Sequence, residues 1–345
     1  MKPRLLRKWK VLRKSLPESP LPPEIAVIII NWNHGWCLAR CIEAVLAQEG
    51  PSFEVIVVDN HSQDGSADEV AARFPVVRVI RNCENAGFSR AFNQAVRATQ
   101  APLLLSLNPD VTAQTGFLRE LALAVCSGAR VGMAAPKLLR ADAPELLDST
   151  GLFIDRRRRP WDRGQGRLDR GQYDRQTLVF GACGGAALYK RVMLEDVSEG
   201  GEYMDEDFFA YYEDADLAWR AQSRGWQAVY APRAVATHVR GWGDTLRKAR
   251  PIGRGPRLAL RNRWLMTLKN DALASFLPDL PVFLAAEAAR LAYALFTHPS
   301  YWLGLLDFWR AARRAYQKRR QIAQHRIVPA SSLRRWFLVG DIDKG

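Results

Sequence analysis

IAVIIINWN, residues 25–33, decides the fold. Its continuous apolar run, residues 25–30, has the texture of a strand buried on both faces, and a polar turn follows at once. A helical pattern covers residues 36–48, and FEVIVVD, Phe53–Asp59, repeats the buried-strand texture. Working outward, Ser66 is expected to cap a helix ending near Arg73. A third strand follows at 76–80, a third helix at 88–98 and a fourth strand at Leu103–Leu107. Residues 114–127 read as another helix and 131–138 as another strand. Such alternation predicts an α/β fold, a mostly parallel open sheet flanked by helices with right-handed crossovers.

Each early strand runs into a polar cluster: NWN after the first, DN after the second, RNCENAG after the third, NPD after the fourth. Asn, Asp and Gly also make ordinary turns. Four such clusters in register, however, would crowd the carboxyl ends of parallel strands, where ligands bind in open α/β sheets. No G-x-G-x-x-G or phosphate-loop pattern follows the first strand, which removes the main support for dinucleotide or P-loop chemistry.

Residues 201–226, GEYMDEDFFAYYEDADLAWRAQSRGW, set five aromatics before the carboxylates Glu213, Asp214 and Asp216, with a helix expected from Leu217 to Ser223. The cluster supports two readings. The acids cap the helix and complement its dipole, or crowding and burial raise one of them toward a general base. The Gly-rich FGACGGAALYK, residues 180–190, lets backbone approach a ligand or another strand closely. RRRRPWDRGQGRLDRGQYDR, residues 156–175, reads as an exposed and charged loop.

With 345 residues and a formal charge of +14, the chain suits one large domain plus an appendage, and a basic partner balance that admits nucleic acid, anionic lipid or phosphorylated substrates. The five cysteines are scattered, without a C-x-x-C pair, and read as reduced thiols. Residues 1–24 form a basic tail and Pro-rich linker, either an amphipathic surface helix or a mobile segment. Residues 25–250 form the α/β domain. Residues 251–345 are basic, aromatic and helical. Their apolar stretch 276–296 nears the length of a bilayer crossing, but Asp279, Glu287 and Arg290 interrupt it. The expectation is a helix in the membrane interface or packed on the domain.

The ordered series VIIINWN, VIVVDNHSQDGS, NAGFSRAFNQA, LLLSLNPDV, GACGGAALYKR and FFAYYEDADLAWR resembles the inverting nucleotide-sugar glycosyltransferases of family 2, which have the GT-A fold. Within that family it looks most like bacterial rhamnosyltransferases, over residues 25–242. The resemblance implies that Asp59 meets the nucleotide base, with Asn31 and Asn33 lining the same pocket. It also implies that Asn85 and Gly87 approach the donor. Asn108–Pro109–Asp110 stands at the D-x-D position, so Asp110, aided by Asn108 and by His238, would hold a divalent metal, Mg²⁺ or Mn²⁺. Asp214 is the implied catalytic base, with Glu213 and Asp216 orienting it or contacting the acceptor. Arg163, Arg167, Arg261 and Arg263 are further candidates for phosphate oxygens.

The expected reaction moves a sugar, L-rhamnose from dTDP-rhamnose as the first choice, to a glycan or polyprenyl-linked acceptor in polysaccharide assembly. The expected location is the cytoplasmic face of the membrane, held peripherally on an anionic membrane surface. A sugar-phosphate nucleotidyltransferase is the alternative enzyme, but it needs a Gly-rich basic loop after the first strand. A nucleic-acid-binding protein is the alternative without catalysis. It needs basic residues gathered on one face, whereas here they sit at the ends and in one loop, so no nucleic-acid partner is expected.

Overall fold

The computed structural model describes residues 23–239, 254–297 and 302–338. The basic N-terminal segment read as a tail or surface helix lies outside the described residues, apart from its last two positions. β1 (Ile25–Asn31), α1 (Trp36–Leu46), β2 (Phe53–Asp59), α2 (Ser66–Arg73), β3 (Arg78–Arg81), α3 (Phe88–Arg97) and β4 (Leu103–Leu107) follow the expected alternation. β1 lies parallel between β2 and β4, and β2 pairs in parallel with β3. Every residue of β1 is buried, as its unbroken apolar pattern requires.

Two local expectations shift. Val76 is exposed in the turn after α2, and the third strand begins later, at Arg78. Ser66 does not cap α2: Gly65, in the left-handed conformation, holds that place, and Ser66 opens the helix.

Beyond β4 come β5 (Val111–Ala113), α4 (Phe117–Val125), β6 (Val131–Arg140), β7 (Leu147–Ser149), β8 (Leu152–Asp155), β9 (Pro160–Asp162), β10 (Thr177–Val179), β11 (Ala186–Lys190), α5 (Arg191–Asp196), α6 (Glu213–Ser223) and β12 (Gln227–His238). The main sheet has the order β3-β2-β1-β4-β11-β6-β12-β10. β11 runs antiparallel to both β4 and β6, with Ala186 beside Leu107, so the glycines before β11 cross the carboxyl rim of the parallel strands. Gly181 brings that segment against α6: a Cβ there would lie 2.5 Å from the Ala218 methyl.

The C-terminal region is helical, with α7 (Arg254–Asn270), α8 (Leu280–Thr297) and α9 (Leu303–Gln324), and it is bound into the sheet domain. β13 (Phe337–Leu338) adds in parallel to β8, which pairs with β9. Lys269 of α7 meets Asp205 and Asp216, and Lys318 of α9 meets Glu202, Asp205 and Asp207.

The arginine-rich stretch 156–175, expected as an exposed loop, contributes β9 and two buried side chains. Arg158 is fully buried between Asp271 at 2.7 Å and Asp279 at 2.8 Å, over the Phe337 ring. Burying a guanidinium requires such complete pairing.

The apolar stretch 276–296 is broken. The helical turns Leu273–Phe276 and Leu277–Asp279 precede α8. Asp279 is fully buried against Arg156, Arg158 and Arg334, and Glu287 is buried against Arg263 and Trp264. No single helix among the described residues is long and apolar enough to cross a membrane.

Candidate active site

The rim begins at β1 and β2, whose register sets Asn31 beside Asp59. The Asn31 amide donates to Asp59 Oδ1 at 2.8 Å, and the Ser62 backbone N–H donates to Oδ2 at 3.1 Å. Asn31 is fully buried and also contacts the hydroxyls of Ser62 and Ser66. Its amide N–H bonds thus orient the carboxylate, while its own Oδ1 is left without a partner. Asn33 sits half-buried in the left-handed region, and its side-chain Oδ1 accepts from the Gln63 backbone N–H at 2.7 Å. Both asparagines thus shape the loop that carries Asp59.

Asn85 accepts the Gly87 N–H at 3.0 Å, closing the turn before α3. Gly87 has φ 82°, and a Cβ there would fall 2.7 Å from the Phe209 carbonyl oxygen and 2.6 Å from its ring. The absence of a side chain here lets the main chain and ring of residue 209 pack directly on this turn. Asn60 and Asn82, missed in the sequence, bind this turn to β2: Asn60 donates to the Gly87 carbonyl at 3.2 Å and accepts from Asn82 at 2.8 Å. Their signal was the asparagine directly after Asp59.

Asn108 and Asp110 follow β4, one strand over from β1. The Asn108 N–H donates to the Gly185 carbonyl at 2.9 Å, joining the rim to the Gly-rich segment. Asp110 Oδ1 is buried 3.3 Å from His238 Nε2, without a well-directed hydrogen bond. The other imidazole nitrogen, Nδ1, lies 2.7 Å from Asp148 Oδ2. Burial opposes charge on His238, but Asp110 and Asp148 outweigh it and push its pKa up to about 9. A carboxylate, an imidazole and a second carboxylate behind the imidazole suit a divalent cation of the Mg²⁺ or Mn²⁺ kind. The orphaned oxygen on Asp110 fits that reading. Among the described residues no group of three His, Cys, Asp or Glu side chains forms a complete metal cage. Bound phosphate oxygens would then supply the remaining ligands, as is usual for Mg²⁺. Asp148, in LLDST, was missed because its role depends on β7 pairing with β6, which no local motif announces.

The acids of residues 213–216 lie inside the first turn of α6, four residues before the expected helix start. Asp214 Oδ2 accepts the Gly184 N–H at 2.7 Å, and Oδ1 accepts the Ala215 N–H at 2.7 Å. Burial pushes its pKa up to about 6; those N–H donors oppose the rise, and Asp162 of β9 adds to it. Glu213 is buried, and burial together with the Asp214 charge pushes it up to about 8. This acidic pair shares the segment that touches the metal-type cluster, since Gly184 holds Asp214 while Gly185 packs beside His238.

Asp216, two residues on, points from the opposite face of the helix. It is fully buried against Arg220, Lys269 and Asn270 at 2.8–3.0 Å. Asp216 therefore braces α7 instead of orienting the base, a correction. Three arginines offered for phosphate are likewise engaged in the fold. Arg163 is buried on Thr150 and Thr177, Arg263 is buried on Glu287, and Arg261 bonds the Asp207 carbonyl. Arg167 is exposed. All five cysteines are free thiols.

Comparison with known proteins places the chain. The family model described as glycosyl transferase family 2 matches residues 26–198. The chain is 27% identical over 260 residues to the N-acetylglucosaminyl-diphospho-decaprenol L-rhamnosyltransferase of Mycobacterium tuberculosis, covering 67% of this chain and 78% of that protein. It is 31% identical over 150 residues to the uncharacterized protein MT1568 of the same species, a match spanning 43% of this chain and only 47% of that protein's length. Among solved structures, the mannosyltransferase PcManGT of Pyrobaculum calidifontis, in complex with GDP-Man and Mn²⁺, aligns with TM-score 0.51 at 18% identity over 96% of this chain and 94% of that one. Residues 1–349 of S. aureus TarS align with TM-score 0.52 at 16% identity, over 90% of this chain and 91% of that one. These likenesses show a shared GT-A fold.

Proposed function

This chain belongs to glycosyl transferase family 2 and is a glycosyltransferase, and we propose that it inverts the anomeric centre of a nucleotide-diphosphate sugar while transferring it to a glycan or polyprenyl-linked acceptor in polysaccharide assembly. The observation that carries the reading is Asp214, a carboxyl raised toward neutrality and held by Gly184 on the rim that also carries Asp59, Asp110 and His238.

The chemistry needs no protein nucleophile. The acceptor hydroxyl gives its proton to Asp214 as its oxygen bonds the anomeric carbon, and the sugar–phosphate bond breaks with its electron pair going to the nucleoside diphosphate. A carboxylate with a pKa near 6 is mostly ionised at neutral pH and basic enough to assist. Glu213 is raised as well, by burial and by the Asp214 charge, so the two acids hold a proton between them more readily than an exposed carboxylate would. Asp110 and His238 would hold a divalent cation that neutralises the departing diphosphate, with Asp148 fixing the imidazole. The Mn²⁺ in the PcManGT complex supports a divalent metal for this fold.

Asp59, steadied by Asn31 and the Ser62 N–H, is suited to accept the ring N–H of a pyrimidine. That chemistry and the rhamnosyltransferase relative support dTDP-L-rhamnose as donor. The site of action in this reading is the cytoplasmic face of the membrane, reached peripherally. α8 supports it: its charged residues Glu287 and Arg290 pair with each other and with α7, while Val282, Leu284 and Tyr293 face outward.

The test is a donor panel with purified protein and Mn²⁺ or Mg²⁺, reading donor binding and sugar release. Binding of pyrimidine-diphosphate sugars, strongest for dTDP-L-rhamnose and lost with EDTA, is expected. Preference for a guanosine-diphosphate sugar would overturn the role given to Asp59.

A further inference from the structure

The loop before α6 is held from two sides in a conformation that side chains with a Cβ seldom adopt. Phe209, Tyr211 and Tyr212 have φ of 63°, 74° and 73°. Tyr212 immediately precedes Glu213 and Asp214, so the path of this loop sets where the acidic pair points. Left-handed backbone at three non-glycine residues persists only where surrounding structure enforces it.

One restraint comes from the turn before α3. The Phe88 N–H, at the start of α3, donates to the Phe209 carbonyl at 2.5 Å, and Gly87 packs flush against it. The other comes from the C-terminal region. Asn262 of α7 is fully buried, and its amide nitrogen lies 2.8 Å from each of the carbonyl oxygens of Phe208, Ala210 and Tyr211. Three main-chain carbonyls that point inward cannot pair with one another. A single side-chain amide, sharing its two N–H bonds, reaches all three, and the Phe208 carbonyl also accepts the Ala210 N–H at 2.7 Å. Asn262 Oδ1 is taken by Arg261 Nε at 3.0 Å, which fixes the amide's orientation. Asn262 lies outside residues 26–198, the part of the chain the family model matches.

We propose that Asn262 is a positioning residue for transfer: by gathering the carbonyls of residues 208, 210 and 211, it sets the loop that aims Asp214 at the acceptor hydroxyl. This rests on Asp214 being the base. Asn262 touches neither donor nor acceptor in this reading, so its removal should impair the chemical step and spare donor binding.

The experiment uses the full chain carrying Asn262→Asp, which keeps size but replaces the N–H donors with a carboxylate facing three carbonyls. A second variant, Asn262→Ser, retains one donor. Donor dissociation constant, kcat and thermal melting are measured for each, with rates taken well below the melting midpoint. Asn262→Asp should lower kcat about 100-fold, the cost of an ångström-scale displacement, with donor affinity within about twofold of the parent. Asn262→Ser should fall between. If Asn262→Asp fails to fold, Asn262→Ser decides on the same two readouts. A folded variant with kcat within about twofold of the parent would overturn the proposal. So would kcat and donor affinity falling together in step with lost folded protein. Turnover surviving in Asp214→Asn would instead overturn the base assignment itself. An inactive Asp214→Asn beside a fully active Asn262→Asp would sink the positioning role alone.

Discussion

Asp214 and Glu213 share one buried corner and titrate as a pair, so the proton that leaves first belongs to the pair as much as to either residue. Burial, reinforced by Asp162, raises Asp214 to about 6. Transfer needs its ionised form, so kcat should climb as pH rises through about 6 and level off above it. A rate that stays flat from pH 4.5 to 8 would contradict this assignment. Asp148 offers a second residue-scale test. It fixes the face of His238 turned toward Asp110, and Asp148→Asn should weaken Mn²⁺ binding about 10–100-fold, read by metal titration of donor-bound protein. An unchanged titration would return His238 to a purely structural place. The places of Asp59, Asp110 and Asp214 were legible in sequence because each adjoins a strand end or a helix start, and the resemblance supplied the roles proposed for them. Asp148 and Asp162 were not, because what brings them in is strand pairing between segments far apart in the chain.

Elements carry the next layer. Continuous apolar runs identified β1, β2 and β4 at sight, since a strand buried on both faces has no polar alternative to confuse it. β11 was less legible, because small residues and glycines conceal a strand that inserts antiparallel at the centre of the sheet. α8 shows why composition alone misleads. Its charges read as interruptions of an apolar span, yet Glu287 is buried against α7 and pairs with Arg290, so the outer face is left apolar, with Leu284 55% and Tyr293 66% exposed. The neighbouring helix adds Trp309, 70% exposed, beside exposed Arg310 and Arg313. Such a surface suits a headgroup boundary, aromatic and apolar with cations at the edge. Vesicles containing anionic lipid should float with the protein, and Leu284→Glu should abolish flotation without changing the melting temperature. Equal flotation of both would move the contact elsewhere.

At the scale of the whole molecule, the C-terminal region is a structural partner of the catalytic sheet. Lys269 alone binds Asp205 and Asp216, and burial of those acids is tolerated because lysines outweigh it and hold Asp205 below the usual carboxylate range. Lys269→Met removes one cation shared by two buried carboxylates, which keep Lys318 and Arg220 as partners, and should cost about 1.5–3 kcal/mol, measured by urea unfolding. A loss under 1 kcal/mol would contradict the brace. Removal of residues 251–345 should therefore unfold the catalytic part as well. This coupling was not legible, because the sequence shows Lys269 only as one cation in a basic tail; its partners lie more than fifty residues earlier. In the proposed reaction, turnover depends on Asp214 taking the proton that leaves the acceptor. The direct measurement is Asp214→Asn, with metal-dependent donor binding and single-turnover transfer followed on the same protein. Donor affinity should match the parent while transfer falls about 100-fold or more. Transfer at the parental rate, with donor bound as before, would contradict it.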